Sequence, residues 1–303
     1  MSFATGSQVE FTVIAESTYG TTPSITPGDT QFVPFISNNL NLTKAVFEDP
    51  SIQANRQSKF SRHGNREVGG DISFAYSHEA FDIFFESLCS STFSSEILKI
   101  GQTQSSMTVQ VAHQDITQNR IFTGLVANTF NLEVNLDGVV QSTFGLMGKD
   151  MTVATSDIDS APTAAPDKQP FVHFDGTFKE GGSAIAILTG ISLSVDNQNN
   201  ANYVLGSDSI DSLSSAMIKV EGTVTAYFQD AVLLNKFINE TASTIEFTLD
   251  DGEGNTHTFL LPNVKYNGAD IQVSDGNTVP VTLPFVALYD GTEATSLKIT
   301  RSA

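Results

Sequence analysis

The chain is short of the residues on which several classes of protein depend. It has one cysteine, Cys89, so no disulfide can form within the chain, and it has no tryptophan. Its 15 Lys and Arg residues are outnumbered by 34 Asp and Glu residues, which gives a formal net charge of −19. That balance argues against a grip on nucleic acid or on an anionic membrane, because both need clustered cations.

Long apolar runs and targeting segments are also missing. No apolar stretch is long enough to span a bilayer. The first residues, MSFATGSQVEF, lack the basic start and the apolar run of a signal peptide. The hydrophobic fraction of 40% is nevertheless that of a globular protein, and 303 residues leave room for about two ordinary domains.

The sequence contains no recognisable catalytic or metal-binding motif. The histidines at positions 63, 78, 113, 173 and 257 have none of the HxH or HxxxH spacings of a metal site. There is no GxSxG motif and no phosphate-binding glycine-rich loop. Residues 250–255, DDGEGN, alternate wrongly for a calcium loop and are typical of a hairpin turn. We therefore predict neither an enzyme nor a bound cofactor.

Two stretches about half a chain apart resemble each other. GGDISFAYSHEAFDIFFESL covers residues 69–88, and EGTVTAYFQDAVLLNKFINE covers residues 221–240. Each starts with a glycine and a run of alternating apolar and polar residues, which predicts a strand. Each then continues into an apolar stripe at helical spacing, with Ser77 and Asp230 as the predicted N-caps.

The first of these helices is predicted to bury more of its surface than the second. In the second helix Lys236 stands at the position of Phe84, and Glu240 at that of Leu88. A charged side chain is costly to bury, so the second helix should be shorter on its buried side. The two stripes are Phe81, Phe84, Phe85 and Leu88, and Leu233, Leu234, Phe237 and Ile238.

Matching segments flank both stretches in the same order, which indicates a tandem duplication. Each half is predicted to contain a strand, a long loop, a strand, a helix, a hairpin and two further strands, so the protein should be mainly β. The matched pairs are 39–44 with 190–196, 105–126 with 243–262, and 132–150 with 269–290, the last with Asp-Gly turns at Asp137–Gly138 and Asp275–Gly276. The predicted division is an N-terminal extended arm (1–38), a first domain (39–154), a Pro- and Ala-rich linker (155–170) and a second domain (171–303).

The opening arm VEFTVIAESTYGTTP, followed by the strand, long loop, glycine strand and single amphipathic helix, resembles the major tail tube proteins of long-tailed bacteriophages. The resemblance covers most of the chain and rests on the pattern of elements. It implies two tandem β-sandwich domains, each flanked by one α-helix. In that family six such domains close a ring, the rings stack, and DNA passes through the bore.

The resemblance, combined with the duplication, implies that three copies of this chain form a pseudo-sixfold ring. It further implies a virion protein of a long tail that is assembled in the host cytoplasm. The expected partners are further copies of the chain and the tail terminator, tip and tape-measure proteins. DNA would pass through the lumen without sequence-specific binding. We expect the arm and both long loops to be mobile before assembly.

The two long loops differ in charge. The first loop, residues 44–69, carries five cations: Lys44, Arg56, Lys59, Arg62 and Arg66. Its counterpart, residues 196–220, has three aspartates and one lysine. We predict that the cationic loop docks on an acidic face of the neighbouring ring. The alternatives are a merely solvated basic stretch, or nucleic-acid binding, for which Phe60 is the aromatic residue among the cations at 56–66.

A bore that lets DNA slide should repel phosphate, and we expect acidic residues on inward-facing strands. Candidate segments are EFTLDDGE (246–253) and GADIQVSDG (268–276), with no single residue favoured. The alternative function is another virion β-sandwich, such as a decoration, fibre or carbohydrate-binding protein. That alternative predicts exposed aromatic clusters, and the absence of tryptophan argues against it.

Overall fold

A computed structural model describes residues 3–52, 56–136, 138–172, 175–185, 187–271, 273 and 278–302. Within these ranges the protein is mainly β, as predicted, with two short α-helices and one 3-10 turn at Gly6–Gln8. Asp137, Asp275 and Gly276 of the predicted Asp-Gly turns lie outside the described residues.

The first half of the chain contains ten strands and one helix in the described residues. They are β1 (Val9–Ala15), β2 (Gln31–Phe32), β3 (Ser37–Asn38), β4 (Asn41–Glu48), β5 (Ser61–Ala75), α1 (Asp82–Cys89), β6 (Ile97–Lys99), β7 (Met107–His113), β8 (Gln118–Asn135), β9 (Gln141–Gly148) and β10 (Asp150–Ala154).

The second half contains eleven strands and one helix in the described residues. They are β11 (Thr177–Glu180), β12 (Ser183–Ala184), β13 (Leu188–Asp196), β14 (Asn200–Asn202), β15 (Ser212–Ser214), β16 (Lys219–Tyr227), α2 (Val232–Ile238), β17 (Ser243–Asp250), β18 (Thr256–Tyr266), β19 (Asp270–Ile271), β20 (Pro280–Ala287) and β21 (Lys298–Arg301).

Strand order is the same in the two halves. In the first half the antiparallel order is β4-β5-β9-β8-β7-β1, and β10 also pairs with β8. In the second half the order is β13-β16-β20-β18-β17-β11, and β21 also pairs with β18. The repeated sequence pattern therefore encodes a repeated topology.

The repeated glycine is needed in both halves because neighbouring atoms leave no room for a side chain. A Cβ on Gly222 would lie 2.2 Å from the carbonyl oxygen of Ser192 and 2.4 Å from the ring of Phe285. Gly70 has a φ of +149°, and its Cβ would lie 2.8 Å from the Cα of Leu40. Strands β5 and β16 can therefore lie this close to their neighbours at these positions only because the residue is glycine.

The segments predicted as long loops and as an arm contain regular structure. Most of residues 44–69 belongs to the hairpin of β4 and β5, which leaves only residues 49–60 between the strands. The second loop contains the small hairpin of β14 and β15. Within the arm, β1 pairs with β7 along its whole length. In the loops, alternation was hard to recognise because residues 61–67, 200–202 and 212–214 are mostly polar.

Helix α1 supplies the centre of the core. All four residues of its predicted stripe are buried, and Phe85 is 0% exposed. Its rings meet those of the sheet: the centroids of Phe85 and Phe144 lie 5.2 Å apart, and those of Phe74 and Phe81 lie 3.7 Å apart. The predicted N-cap Ser77 is wrong, because the helix begins at Asp82 after Phe81, which makes no side-chain cap.

Helix α2 is much less buried, as the charged substitutions predicted. None of its residues is fully buried, and Ile238 is 62% exposed. Asp230 accepts a hydrogen bond from the Val232 amide at 2.9 Å, although Ala231 occupies the N-cap position. The same element of the repeat is thus packed on all sides in one half and left largely open in the other.

Because Phe85 and Phe237 occupy matching positions, they make a controlled pair of substitutions. Phe85→Ala should lower the free energy of unfolding by about 3–5 kcal/mol, since it opens a cavity in the core. Phe237→Ala should cost only about 1–2 kcal/mol, because its ring is already partly in solvent. Urea denaturation of the unassembled chain measures both values, and equal losses would contradict the packing described here.

Candidate assembly interface

The two halves are joined edge to edge by strand pairing. Strand β13 pairs with the end of β8 through seven residue pairs, from Gly190 opposite Asn135 to Asp196 opposite Thr129. At the middle of this joint Leu193 lies opposite Leu132, and each is 1% exposed. The result is one continuous sheet of eight strands, in the order β4-β5-β9-β8-β13-β16-β20-β19.

The second half also covers the helix of the first half. The ring of Phe259 on β18 lies 6.3 Å from that of Phe85 on α1. Strand β21 pairs with β6, which follows α1 in the chain. Arg301 of β21 forms ion pairs with Asp82 of α1 and with Glu96. Helix α1 is therefore enclosed because a second copy of the repeat packs against it.

Buried polar groups fix the geometry of this joint. The Asn197 side chain, at the end of β13, donates to the carbonyl oxygens of Leu88 and Ala127 at 2.8 and 3.0 Å. Strand β18 contributes His257, which is 1% exposed and hydrogen-bonded through Nδ1 to the Tyr76 hydroxyl. Buried hydrogen bonds of this kind favour one arrangement of the two halves, because any other would leave these groups unpaired.

Burial determines the protonation of the histidines at the joint. It lowers the pKa of His257 to about 3, and the nearby His78 adds to the effect. Burial also lowers the pKa of His78, whose ring lies 5.0 Å from that of His257 and whose Nε2 contacts the Ser302 hydroxyl at 3.2 Å. The other charged groups that act on His78 are Glu79, Arg301 and Lys168, and Asp251 also interacts with it. Both rings are therefore neutral at pH 7.

The predicted linker and arm are hydrogen-bonded to the rest of the chain. The amide of Phe171 donates to the Tyr76 carbonyl at 2.8 Å, and the Val140 amide donates to the Phe171 carbonyl at 2.9 Å. The buried carboxylate of Asp159 accepts from the amides of Gly28 and Thr30. These hydrogen bonds tie residues 28–30 of the arm and Asp159 of the linker to each other, and Phe171 to the first half.

Two edges of the eight-strand sheet pair with no strand among the described residues: the outer edge of β4 and that of β19. The Asn39 amide donates to the Asp71 carbonyl of β5, so the amides of Leu40 and Leu42 point the other way, out of the sheet. Those two amides donate instead to the side-chain oxygens of Asn38 and Asn41, at 2.8 and 2.9 Å. Nearby side chains thus occupy the places that carbonyls of a further strand would take.

Register relates these free edges to the occupied joint. Gly70 of β5 and Gly222 of β16 occupy matching positions in the two halves. The residues that pair with these two strands therefore match as well, and residues 37–43 correspond to residues 190–196 of β13. In the same way residues 268–271 correspond to residues 129–132 of β8. The free edge at β4 is therefore the counterpart of β13, and the free edge at β19 is the counterpart of the β8 segment that β13 occupies.

One face of the eight-strand sheet is polar and uncovered. A row across five adjacent strands consists of Ser73, Thr143, Asn131, Ser194 and Glu221. The acidic residues on this face include Asp71, Glu133, Asp196 and Glu221. The opposite face is apolar and lies in the core.

The two segments named as acidic candidates separate in the structure. Asp270 of the segment 268–276 belongs to β19 and lies opposite Thr282, in the same sheet as the polar face. The segment 246–253 lies elsewhere: Glu246 on β17 pairs with Lys179 at 2.6 Å, and Asp251 is buried in the turn that follows. The acidic residues of β5, β8 and β16 were missed because alternation shows which residues share a face but not what that face meets.

Of the five cations predicted to contact another ring, one forms ion pairs within the chain and four are exposed. Arg66 forms ion pairs within the chain, with Asp150 at 2.9 Å and with Asp208 at 2.7 Å. These bonds raise the pKa of Arg66 and lower that of Asp208. The oppositely charged loops thus meet each other inside one chain. Lys44, Arg56, Lys59 and Arg62 are exposed on the β4–β5 hairpin beside the exposed side chains of Val46, Phe47, Ile52 and Phe60.

The buried His257 predicts a pH dependence of stability. Above pH 6.5 His257 is neutral in both the folded and the unfolded chain, so its contribution is constant. Between pH 6.5 and about 3 only the unfolded chain binds the proton, so stability falls by about 1.4 kcal/mol per pH unit. Urea denaturation at pH 7 and pH 5 should show a smaller difference for His257→Gln than for the wild type. The exposed His63→Gln is the control, and an unchanged difference in His257→Gln would contradict this account.

Metal-ligand clusters and membrane-spanning helices are absent from the part of the chain that the structure describes. No group of three or more His, Cys, Asp or Glu side chains there is placed to hold a metal ion. Of the helices in the described ranges, neither is long and apolar enough to cross a membrane. The features that stand out are instead the occupied joint and the two free edges that match it.

Comparison with known proteins agrees with these features. No curated protein matches the chain. A family model described as phage tail tube protein matches residues 6–287, which is nearly the whole chain. This match confirms the resemblance found in the sequence, and with it a structural rather than an enzymatic role. The chain belongs to the phage tail tube protein family and is a structural subunit of a phage tail.

Proposed function

We propose that three copies of the chain close into a ring by repeating, between chains, the joint that already connects the two halves. The observation that carries this proposal is the correspondence of the free edges with β13 and β8. In the repeated joint, residues 40–43 of one copy would pair with residues 268–271 of the next. Leu40 would then lie opposite Ile271, as Leu193 lies opposite Leu132.

Closure removes the two free edges, which would otherwise be available for uncontrolled association. Three copies of eight strands give a closed barrel of twenty-four strands. The contact is heterologous, and it forms a ring only because the rotation closes on itself. A ring of three chains has six joints, and three of them are already made within single chains. Assembly therefore has to form only three new joints. The two halves of one chain meet at an effective concentration of roughly millimolar or more, because they are covalently linked.

The polar face of the sheet is proposed to line the bore. The apolar face carries the helices and the remaining strands, and this bulky layer fits only on the outside of a closed ring. The lumen would then present hydroxyl groups together with Asp71, Glu133 and Glu221. Negative charge repels phosphate, so DNA would pass during ejection without being held.

The β4–β5 hairpin is proposed to dock on the neighbouring ring. Its four exposed cations, Lys44, Arg56, Lys59 and Arg62, lie among exposed apolar side chains, so a contact there would combine charge with apolar burial. Arg66 would support the hairpin base through Asp150 and Asp208. The tube would meet terminator, tip and tape-measure proteins, and would assemble in the host cytoplasm.

The ring joint can be tested at Leu42, whose amide points out of the sheet. Leu42→Pro removes that amide but leaves the ladder between β4 and β5 intact, so the chain should stay folded and form no rings. Leu42→Ala keeps the amide and should still assemble. Negative-stain microscopy and size-exclusion chromatography with light scattering distinguish rings from monomers. Rings of normal abundance with Leu42→Pro would overturn the proposed joint.

The stacking contact can be tested separately by reversing charge on the hairpin. The triple variant Arg56→Glu, Lys59→Glu and Arg62→Glu should still form rings but should give short tubes or none at low salt. Lys179→Glu, an exposed cation on β11, is the control and should leave tube length unchanged. If the triple variant assembled tubes as long as those of the wild type in both low and high salt, the hairpin would not be the docking element.

A further inference from the structure

In the first half of the chain, residues 170–172, at the end of the predicted linker, cap the end of the sheet beside α1. The Tyr76 amide donates to the Val140 carbonyl at 2.9 Å, and Phe171 is hydrogen-bonded to both residues through its own amide and carbonyl. Phe171 is 0% exposed, and its ring lies 5.2 Å from that of Tyr76. Residues on either side of it form isolated antiparallel bridges, Ser77 with Pro170 and Val139 with Val172.

The second half has the same pair of residues without a capping segment from the described part of its own chain. The Phe228 amide donates to the Val279 carbonyl at 2.8 Å, which reproduces the bond between Tyr76 and Val140. The structure gives the Phe228 carbonyl and the Val279 amide no hydrogen bond within the described residues. The side chain of Phe228 is 38% exposed, whereas Tyr76 is fully buried.

A cavity of about 420 Å³ opens beside Phe228, beneath α2. Its walls include Tyr227, Val232, Leu233 and Ile187, and the ion pair of Glu180 with Lys236 lies at one side. A dry apolar cavity of about 150 Å³ is already large enough for benzene, so this one can admit an aromatic side chain. The space and the two backbone groups together match what Phe171 meets in the first half.

The register of the repeat identifies the residues that would occupy this place. Val13 lies opposite Val109 on β7, and Glu180 lies opposite Ile245 on β17, so the segment before β1 corresponds to the segment before β11. Residues 3–5 thereby correspond to residues 170–172. Phe3 is 83% exposed, and it is one residue from the position of Phe171. Hydrogen bonds of Thr5 to Asp115 and of Gln8 to Thr5 hold this segment in place on its own half.

We propose that residues 3–5 of a second copy form a short strand against Phe228 and Val279, with the ring of Phe3 entering the cavity beneath α2. The proposal rests on the ring described above, in which the second half of one chain is followed by the first half of the next. Each joint then has two parts, the paired strand edges and an aromatic residue supplied from the segment that precedes the next half.

Disulfide cross-linking tests the contact directly. With Phe3 in the place of Phe171, the bridge between Val139 and Val172 corresponds to Thr278 of one copy and Ala4 of the next, and bridged antiparallel residues are close enough for a disulfide. The double variant Ala4→Cys with Thr278→Cys should give covalent trimers on a non-reducing denaturing gel after ring assembly. The variant Val139→Cys with Val172→Cys is the matched control and should close within single chains. Burial raises the pKa of Cys89 to about 12, so the natural cysteine does not compete.

The outcomes separate this contact from the ring itself. Rings seen by microscopy with covalent trimers support both. Rings whose chains stay separate on the gel, while the control variant closes its disulfide, would overturn the contact of Phe3 and leave the ring proposal standing. An absence of rings in the wild-type protein would overturn the ring proposal and this contact with it. Each single-cysteine variant should remain a monomer on the gel in every case.

Discussion

The pairing of β13 with β8 is the interaction on which the rest of the structure depends. It joins two copies of one topology into a single sheet, and it places β18 and β21 over α1. Because each sheet edge in a repeated unit needs a partner, one satisfied joint leaves its two complementary edges at the two ends of the eight-strand sheet. The duplication therefore both stabilises the chain and leaves it able to associate with further copies.

The difference between the two helices follows from the same constraint. Helix α1 is enclosed because the second half packs on it, whereas α2 has no such neighbour among the described residues and keeps Val232 and Ile238 in solvent. Phe228 and Val273 are further exposed apolar side chains of the second half. Lys236, which stands at the position of Phe84, pairs with the buried Glu180 rather than entering an apolar core.

Much of the fold could be predicted from the sequence, because strand alternation and the helical stripe of Phe81, Phe84, Phe85 and Leu88 are local patterns. The start of α1 could not, since Phe81 is positioned by its stack on Phe74 rather than by a capping side chain. The ion pairs of Arg66 could not be predicted either, because Asp150 and Asp208 are far from it in sequence. His257 carries no motif, and its neutral, buried state depends on Tyr76 and His78 from the other half.

The central claim is that the joint inside the chain is repeated between chains until a ring of three closes. Native mass spectrometry of the smallest closed assembly tests this most directly. With a chain mass of 32.5 kDa, the account predicts a species of about 98 kDa, or three chains, that shows six similar lobes in projection. A ring of six chains, or a protein that stays monomeric under conditions in which tubes form, would contradict it.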